Sequence, residues 1–319
     1  MGLFEDRIGD LDDVLDRLSA GDAESRRIAL ADLADLGDVT AVPAVIAALT
    51  DPDAGVRAAA VRALDAFEGD AVAQALADAL SDPDEPVRHA AAEVLADKND
   101  PASAPVLVTL IVHPDASVRA AALRGLVGLR EPAALAPTLA ALADPAAEVR
   151  KNAASVLGWL RAQEATRGLV VAVRDPDPDV RRVAVAALGY DNADADAHAA
   201  LVSALGDADW QVRESAANVL GKFGGGQGVA ALIDAMADEI WQIRVKAAAS
   251  LGKLRDPAAI PALGAALDHP ISNLRKEATA ALGEIGHADA LPYLTAHADD
   301  PDPDVRKLNR WATAKASGA

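Results

Sequence analysis

Guanidinium groups recur along this chain at an almost fixed interval: Arg26, Arg57, Arg88, Arg119, Arg150, Arg181, Arg213, Arg244, Arg275 and Arg306. Eight of the intervals are 31 residues and one, Arg181 to Arg213, is 32. A planar guanidinium grips a carboxylate through two parallel N–H bonds. An aspartate stands six residues before the arginine at Asp51, Asp82, Asp144, Asp175, Asp207, Asp238 and Asp300, while His113 and His269 take that place twice. Chemistry repeated in every unit fits a tie between neighbours, whereas a catalytic site needs to occur once.

Other reactive groups are sparse or badly spaced. There is no cysteine, hence no disulfide frame, thiolate nucleophile or zinc-thiolate site. The six histidines (His89, His113, His198, His269, His287, His297) form no His-Glu dipeptide, no pair four apart and no HExxH, so no metal site is expected. Carboxylate pairs are abundant, but their Asp-Pro settings mark solvated turns. The cluster Gly224-Gly225-Gly226-Gln227-Gly228 lacks the Gly-Lys-Ser/Thr ending of a phosphate loop and reads as a turn between helices. No catalytic, cofactor-binding or metal-binding residue is assigned, no cofactor is expected, and the chain does not read as an enzyme.

The elements that carry the arginines follow from the same register. Residues 51–64 (DPDAGVRAAAVRAL), 82–95 (DPDEPVRHAAAEVL) and 175–188 (DPDPDVRRVAVAAL) align without gaps. Asp-Pro breaks the preceding helix. The Asp four before the arginine (Asp53, Asp84, Asp115, Asp177, Asp209, Asp302) suits an N-cap. Val, Ile or Leu one before the arginine, Ala three after it and Leu seven after it form one apolar stripe of a helix. Gly158, Gly189, Gly221, Gly252 and Gly283 follow that Leu and read as helix stops. Another helix comes next, such as 41–49 (AVPAVIAAL) or 259–267 (AIPALGAAL), with Pro in its first turn. The extra residue of the long interval is expected in the loop 191–198 (DNADADAH).

The pattern D-P-x-x-x-V-R-x-x-A-x-x-x-L-G after a helix of the type A-x-P-x-L-x-x-A-L resembles the HEAT-like repeats of the phycobilisome lyases, and it covers nearly the whole chain. The resemblance implies an all-α fold, an α-α superhelix or solenoid of about ten helix pairs resembling armadillo arrays. It also implies that the Arg and the Asp six before it form a ladder between repeats, and that second helices line the concave side. Residues 1–319 are therefore expected to be a single solenoid, with 1–20 as an N-terminal cap and 303–319, ending in Lys307, Arg310, Trp311 and Lys315, as a C-terminal one.

Composition narrows the partner. The chain has 37 Asp and 12 Glu against 22 Arg and 8 Lys, a net charge of −19, which argues against a general nucleic-acid binder. So acidic a surface resembles that of proteins from salt-loving archaea. The amino terminus, Met1 to Asp6, has neither a signal-peptide pattern nor a myristoylation motif, and no run approaches the 18 apolar residues of a membrane span. A cytosolic protein is expected.

One stretch departs from the monotony. Five of the nine aromatics fall in 159–241, and residues 150–255 hold 13 basic and 13 acidic side chains, so the rest carries all of the −19. Offsets of one, five and nine after the arginine lie roughly opposite the apolar stripe. There stand Trp159; Arg182 and Tyr190; Glu214, Asn218 and Lys222; and Lys253. Trp210 and Trp241, in the matched strings WQVR and WQIR, stand three before their arginines, and Lys246 two after its own; Phe223 reads as core. Exposed aromatics beside Lys and Arg suit recognition; the alternative is that the tryptophans staple adjacent turns. The leading expectation is a non-catalytic protein-interaction scaffold binding another protein on Trp159, Arg182, Tyr190, Trp210, Glu214, Asn218, Lys222, Trp241, Lys246 and Lys253, across repeats 5–8. Two alternatives remain: a bilin lyase or isomerase, implied by the repeat resemblance, and a nucleic-acid reader resembling the HEAT-like alkylpurine glycosylases, for which Trp159, Tyr190, Arg182 and Lys222 could serve.

Overall fold

Alternating Asp-Pro breaks and apolar stripes give a chain of helix pairs. The computed structural model describes residues 10–98, 100–190, 194–223 and 226–318. Among the described residues every regular element is helical, in ten pairs. Parts of the expected cap 1–20, of the loop 191–198 and of the 224–228 turn lie outside the described residues, as does Ala319. Within the loop, Asp194 caps a helix that already contains Ala195–His198; within the turn, a helix starts at Gly226.

The helices fall into two units, residues 1–160 and 161–319. The first unit pairs α1 (Leu11–Ala20) with α2 (Ala23–Leu36), α3 (Val42–Ala47) with α4 (Ala54–Ala63), α5 (Asp70–Ala79) with α6 (Glu85–Lys98), α7 (Ala104–Leu110) with α8 (Ala116–Leu126), and α9 (Leu135–Ala141) with α10 (Ala147–Leu160). The second unit pairs α11 (Thr166–Ala172) with α12 (Pro178–Leu188), α13 (Ala195–Ala204) with α14 (Trp210–Leu220), α15 (Gly226–Ala235) with α16 (Trp241–Leu254), α17 (Ile260–Ala265) with α18 (Ser272–Ile285), and α19 (Leu291–Ala296) with α20 (Pro303–Ala316). In each unit the second helices pack side by side in a row, each also covered by the first helix of its own pair.

Second helices start where the caps foretold. The carboxylates of Asp53, Asp115, Asp177, Asp209 and Asp302 accept backbone N–H groups of the first turn of α4, α8, α12, α14 and α20. The stripe is buried throughout: Val149, Ala153 and Leu157 of α10 and Ile243, Ala247 and Leu251 of α16 are all fully enclosed. A leucine so enclosed contributes about 1.5–3 kcal/mol. In α20 the stripe turns polar at Asn309, whose Nδ2 donates to Leu294 O at 2.9 Å, as suits a terminal repeat.

The arginines form the ladder. In the first unit, the Nε of Arg26, Arg57 and Arg119 lies 2.7–2.8 Å from a carboxylate oxygen of Asp51, Asp82 and Asp144. In the second, Arg181, Arg213 and Arg275 hold Asp207, Asp238 and Asp300 in the same way, at 2.7–2.8 Å. The fork is bidentate: Arg275 donates Nε at 2.7 Å and Nη2 at 3.0 Å to the two oxygens of Asp300. Nη1 returns to carbonyls of the arginine's own turn, His269 O and Pro270 O at 2.9 and 3.1 Å. Each aspartate also accepts the N–H two residues on, as Asp300 does from Asp302 at 2.8 Å. Where histidine replaces aspartate, Nδ1 takes that N–H instead: Asp115 N to His113 and Ile271 N to His269, both 3.1 Å.

Of the glycines after the leucine, only two stand where a helix stops. Gly158, Gly252 and Gly283 lie inside α10, α16 and α18, and Gly189 and Gly221 end α12 and α14 in right-handed conformation. Five left-handed positions lie eleven residues after an arginine of the series: Arg130, Arg161 and Arg255 at φ 52–55°, and Gly37 and Gly286 at φ 63°. The glycines after the leucine instead admit the neighbouring second helix. A Cβ at Gly252 would lie 2.8 Å from Ala281 Cα and 3.0 Å from Ala281 Cβ; one at Gly221 would lie 3.0 Å from Ser250 Cα. At Gly283 the Trp311 ring occupies the space.

Two outcomes follow. Gly252→Ala should lower stability by about 1–3 kcal/mol through overpacking, although alanine favours helix over glycine by about 1 kcal/mol. Gly206→Ala, whose Cβ would meet only Ser203 O at 3.6 Å, should change it by no more than about 0.5 kcal/mol; thermal melts followed by circular dichroism compare them. The second outcome concerns Asp300, 6 % exposed against Arg275 at 8 %. Hydrogen bonds from Arg275, opposed by burial, hold its carboxyl below the usual range. A depressed acid stabilises the fold above the unfolded value of about 3.9 and loses that contribution as pH falls through the native value. Asp300→Asn should therefore destabilise by about 3–5 kcal/mol at neutral pH, and the gap in Tm from wild type should hold down to about pH 4 and narrow only as pH falls further.

Candidate partner-binding face

With the ladder and stripe fixed, the remaining surfaces of the second helices are set by 100° per residue. The ten candidate residues divide between the two units. Trp159 belongs to the first unit, on the last turn of α10; it is 47 % exposed, with the Arg130 guanidinium carbon 5.9 Å from its ring centroid, a cation–π contact. The other nine lie in the second unit.

Those nine separate into two strips. Asn218 and Lys222, from α14 and just after it, and Lys253 of α16 are exposed on the face opposite the buried stripe. Trp210 and Trp241 open α14 and α16 on the edge that carries Arg213 and Arg244, three residues on; Trp210 is 40 % exposed and Trp241 partly buried. Glu214 and Lys246 are half-buried between the strips. Among the described residues Glu214, Asn218, Lys222, Lys246 and Lys253 make no side-chain hydrogen bond or ion pair.

Two candidates are already engaged. The Tyr190 hydroxyl donates to Ala162 O at 2.7 Å and lies 3.3 Å from Thr166 Oγ1, tying the end of α12 to the turn before α11. Arg182 pairs with Asp179 at 2.8 Å, one turn back on α12. Phe223 is core, 1 % exposed, stacked on His198 at 5.8 Å between centroids.

Sequence reading missed two features. Glu277 of α18 sits half-buried beside the lysines; burial pushes its carboxyl up, and Lys253 and Lys246 partly offset the rise. Its place two after Arg275 repeats that of Lys246 after Arg244, a signal the register contains. The second feature is Arg244, which has no partner for its Nε.

Among the described residues no group of three His, Cys, Asp or Glu is placed to hold an ion. His297 is held within the fold. Its Nδ1 faces Tyr293 O at 2.8 Å and its Nε2 faces Asp268 at 2.9 Å, so both nitrogens are engaged. Burial lowers its pKa, but Asp268 and the Tyr293 carbonyl outweigh that and leave it raised. Among the described residues no helix is long and apolar enough to cross a membrane.

Comparison with known proteins agrees with the geometry. The family model of HEAT repeats matches residues 11–96, 103–170, 166–242 and 229–314, and that of the PBS lyase HEAT-like repeat matches 87–113. No curated protein matches this chain. Among solved structures it is similar to Kap95p, from a complex with RanGDP, with TM-score 0.62 and 16 % identity over 96 % of this chain and 50 % of that one. An engineered protein matches with TM-score 0.56 and 22 % identity over 97 % and 99 %. Escherichia coli YibA matches with TM-score 0.55 and 17 % identity over 91 % and 96 %. At such identities the likeness shows the fold alone. The repeat register, the buried stripe and the family match agree: the chain belongs to the HEAT repeat family.

Proposed function

We propose that this chain is a non-catalytic scaffold that binds another protein on the second-helix face of its second unit, across α12, α14 and α16. The observation that carries the reading is the pairing of two accessible tryptophans, Trp210 and Trp241, with the free lysines Lys222, Lys246 and Lys253. Rigid amphipathic rings supply buried area at little rotamer cost, and unpaired lysines add charge complementarity. Asn218 and Glu214 complete the polar rim, while Tyr190 and Arg182 hold the edge of the face in shape. Kap95p, whose structure is described as a complex with RanGDP, is a precedent for such a fold taking a protein partner.

A nucleic-acid partner fits less well, because three lysines cannot offset a net charge of −19 along a polyanion. A protein identified by capture with the wild-type chain should bind Trp210→Ala or Trp241→Ala about 2 kcal/mol more weakly, with helix content and Tm unchanged. A variant that melts earlier yet binds normally per folded molecule would make the tryptophans staples and end the proposal. Capture of nucleic acid, with affinity falling steeply in salt, would end it too.

A further inference from the structure

Nine of the ten repeated arginines donate Nη1 to a carbonyl of their own turn, and Arg244 does not. Among the described residues it makes no hydrogen bond, and no carboxylate oxygen lies within 4.0 Å of it. Its Nε is buried without a partner. An Nε–H in that state has lost water and gained nothing in return.

The cause lies 25 residues on, where the ladder aspartate is replaced by His269. His269 Nδ1 accepts the Ile271 N–H at 3.1 Å, so the ring proton sits on Nε2 and the imidazole has no acceptor left for Arg244. Burial, with Arg244 and Arg275 beside it, holds the ring below its usual pKa and so neutral. Asp238, whose charge also reaches Arg244, is committed to Arg213 Nε and Nη2 at 2.8 and 3.3 Å and to the Ile240 N–H at 2.8 Å. The other histidine joint differs: Arg88 also has no carboxylate on its fork, but its Nη1 donates to Asp82 O and Pro83 O at 2.7 and 2.8 Å and its Nε is not buried, while His113 Nε2 lies 3.3 Å from Ser81 Oγ.

The molecule shows what such a fork binds. At Arg57, Arg119, Arg181, Arg213 and Arg275, Nε and Nη2 hold the two oxygens of one carboxylate at 2.7–3.3 Å. We propose that Arg244 is a carboxylate receptor: an Asp or Glu side chain of the protein partner takes the place that a ladder aspartate fills elsewhere, and Trp241, one turn back on the same edge of α16, packs against the segment that carries it. The inference rests on the partner-face reading and names the chemistry that face selects. A single carboxylate suits a stretch, residues 150–255, whose charges cancel, better than a polyanion does.

The test follows the Nε–H resonance of Arg244, assigned by its loss in Arg244→Lys, while the full chain is titrated with acetyl-DPDAGV-amide, the sequence of residues 51–56. Parallel titrations use the same peptide with Asn in place of its first Asp, inorganic phosphate, and a single-stranded DNA 12-mer. The expected result is a saturable shift with the Asp peptide, at least about tenfold weaker with the Asn peptide, and no response in His269→Asp, where an internal carboxylate fills the fork and raises Tm. A silent Arg244, an equal response in a folded His269→Asp chain, or tighter binding of phosphate or DNA overturns the proposal. Trp210→Ala separates the two readings, since it leaves both Arg244 and His269 in place. Weakened partner binding in that variant with a silent Arg244 sinks the receptor and spares the face; a responsive Arg244 with normal partner binding does the reverse.

Discussion

A bidentate guanidinium–carboxylate bond is the unit on which this architecture turns. One arginine reaches three things at once: the carbonyls of its own turn through Nη1, the aspartate of the next repeat through Nε and Nη2, and, through that aspartate, the N–H that opens the next second helix. Arg57 does this with Asp51 O, Asp82 and, by way of Asp82, Asp84 N. Burying such a pair costs desolvation that its mutual attraction only partly returns. Satisfying nearly every donor and acceptor in one network is what makes the rung tolerable, and recurrence fixes the rise from repeat to repeat.

Small side chains supply the other half of the constraint. With alanine three after nine of the ten arginines and glycine eight after several, second helices approach until backbone meets side chain, as Gly252 meets Ala281. This contact lies at the joint where Arg244 finds no carboxylate. Close packing and the ion pair are thus separable: α16 and α18 keep their contact through dispersion and the buried stripe, and the turn keeps its geometry because His269 Nδ1 accepts the same N–H that an aspartate would.

Sequence periodicity made the helix pairs, the caps, the stripe and the ladder legible, because each depends on a residue and its neighbours at a fixed offset. Features set by tertiary contact were not legible. Gly252 looked like a stop from its place after Leu251, but its role is decided by Ala281, which no local rule connects to it. The true left-handed stop at Arg255, φ 55°, was hidden because arginine carries no preference for that conformation. The candidate face was half legible: the wheel placed Asn218, Lys222 and Lys253 outside, while Tyr190, at an equivalent offset, spends its hydroxyl on Ala162 O, a partner on a turn whose approach the sequence does not disclose.

A repeat array gives a route to specificity that a globular core lacks. Because each repeat contacts only its neighbours, removing one rung is a local cost and the rest of the row stays in register. Histidine is suited to that removal, since it keeps the acceptor the turn requires and deletes the charge the arginine requires. At the His113 joint Arg88 also lacks a carboxylate, but its Nη1 stays on its own carbonyls and its Nε is not buried. At Arg244 the Nε is buried with no partner, and Trp241 stands one turn away. As a receptor, Arg244 owes its selectivity to a carboxylate withheld from a fork that Arg57, Arg119, Arg181, Arg213 and Arg275 fill with an aspartate, and a partner that brings a carboxylate completes the rung.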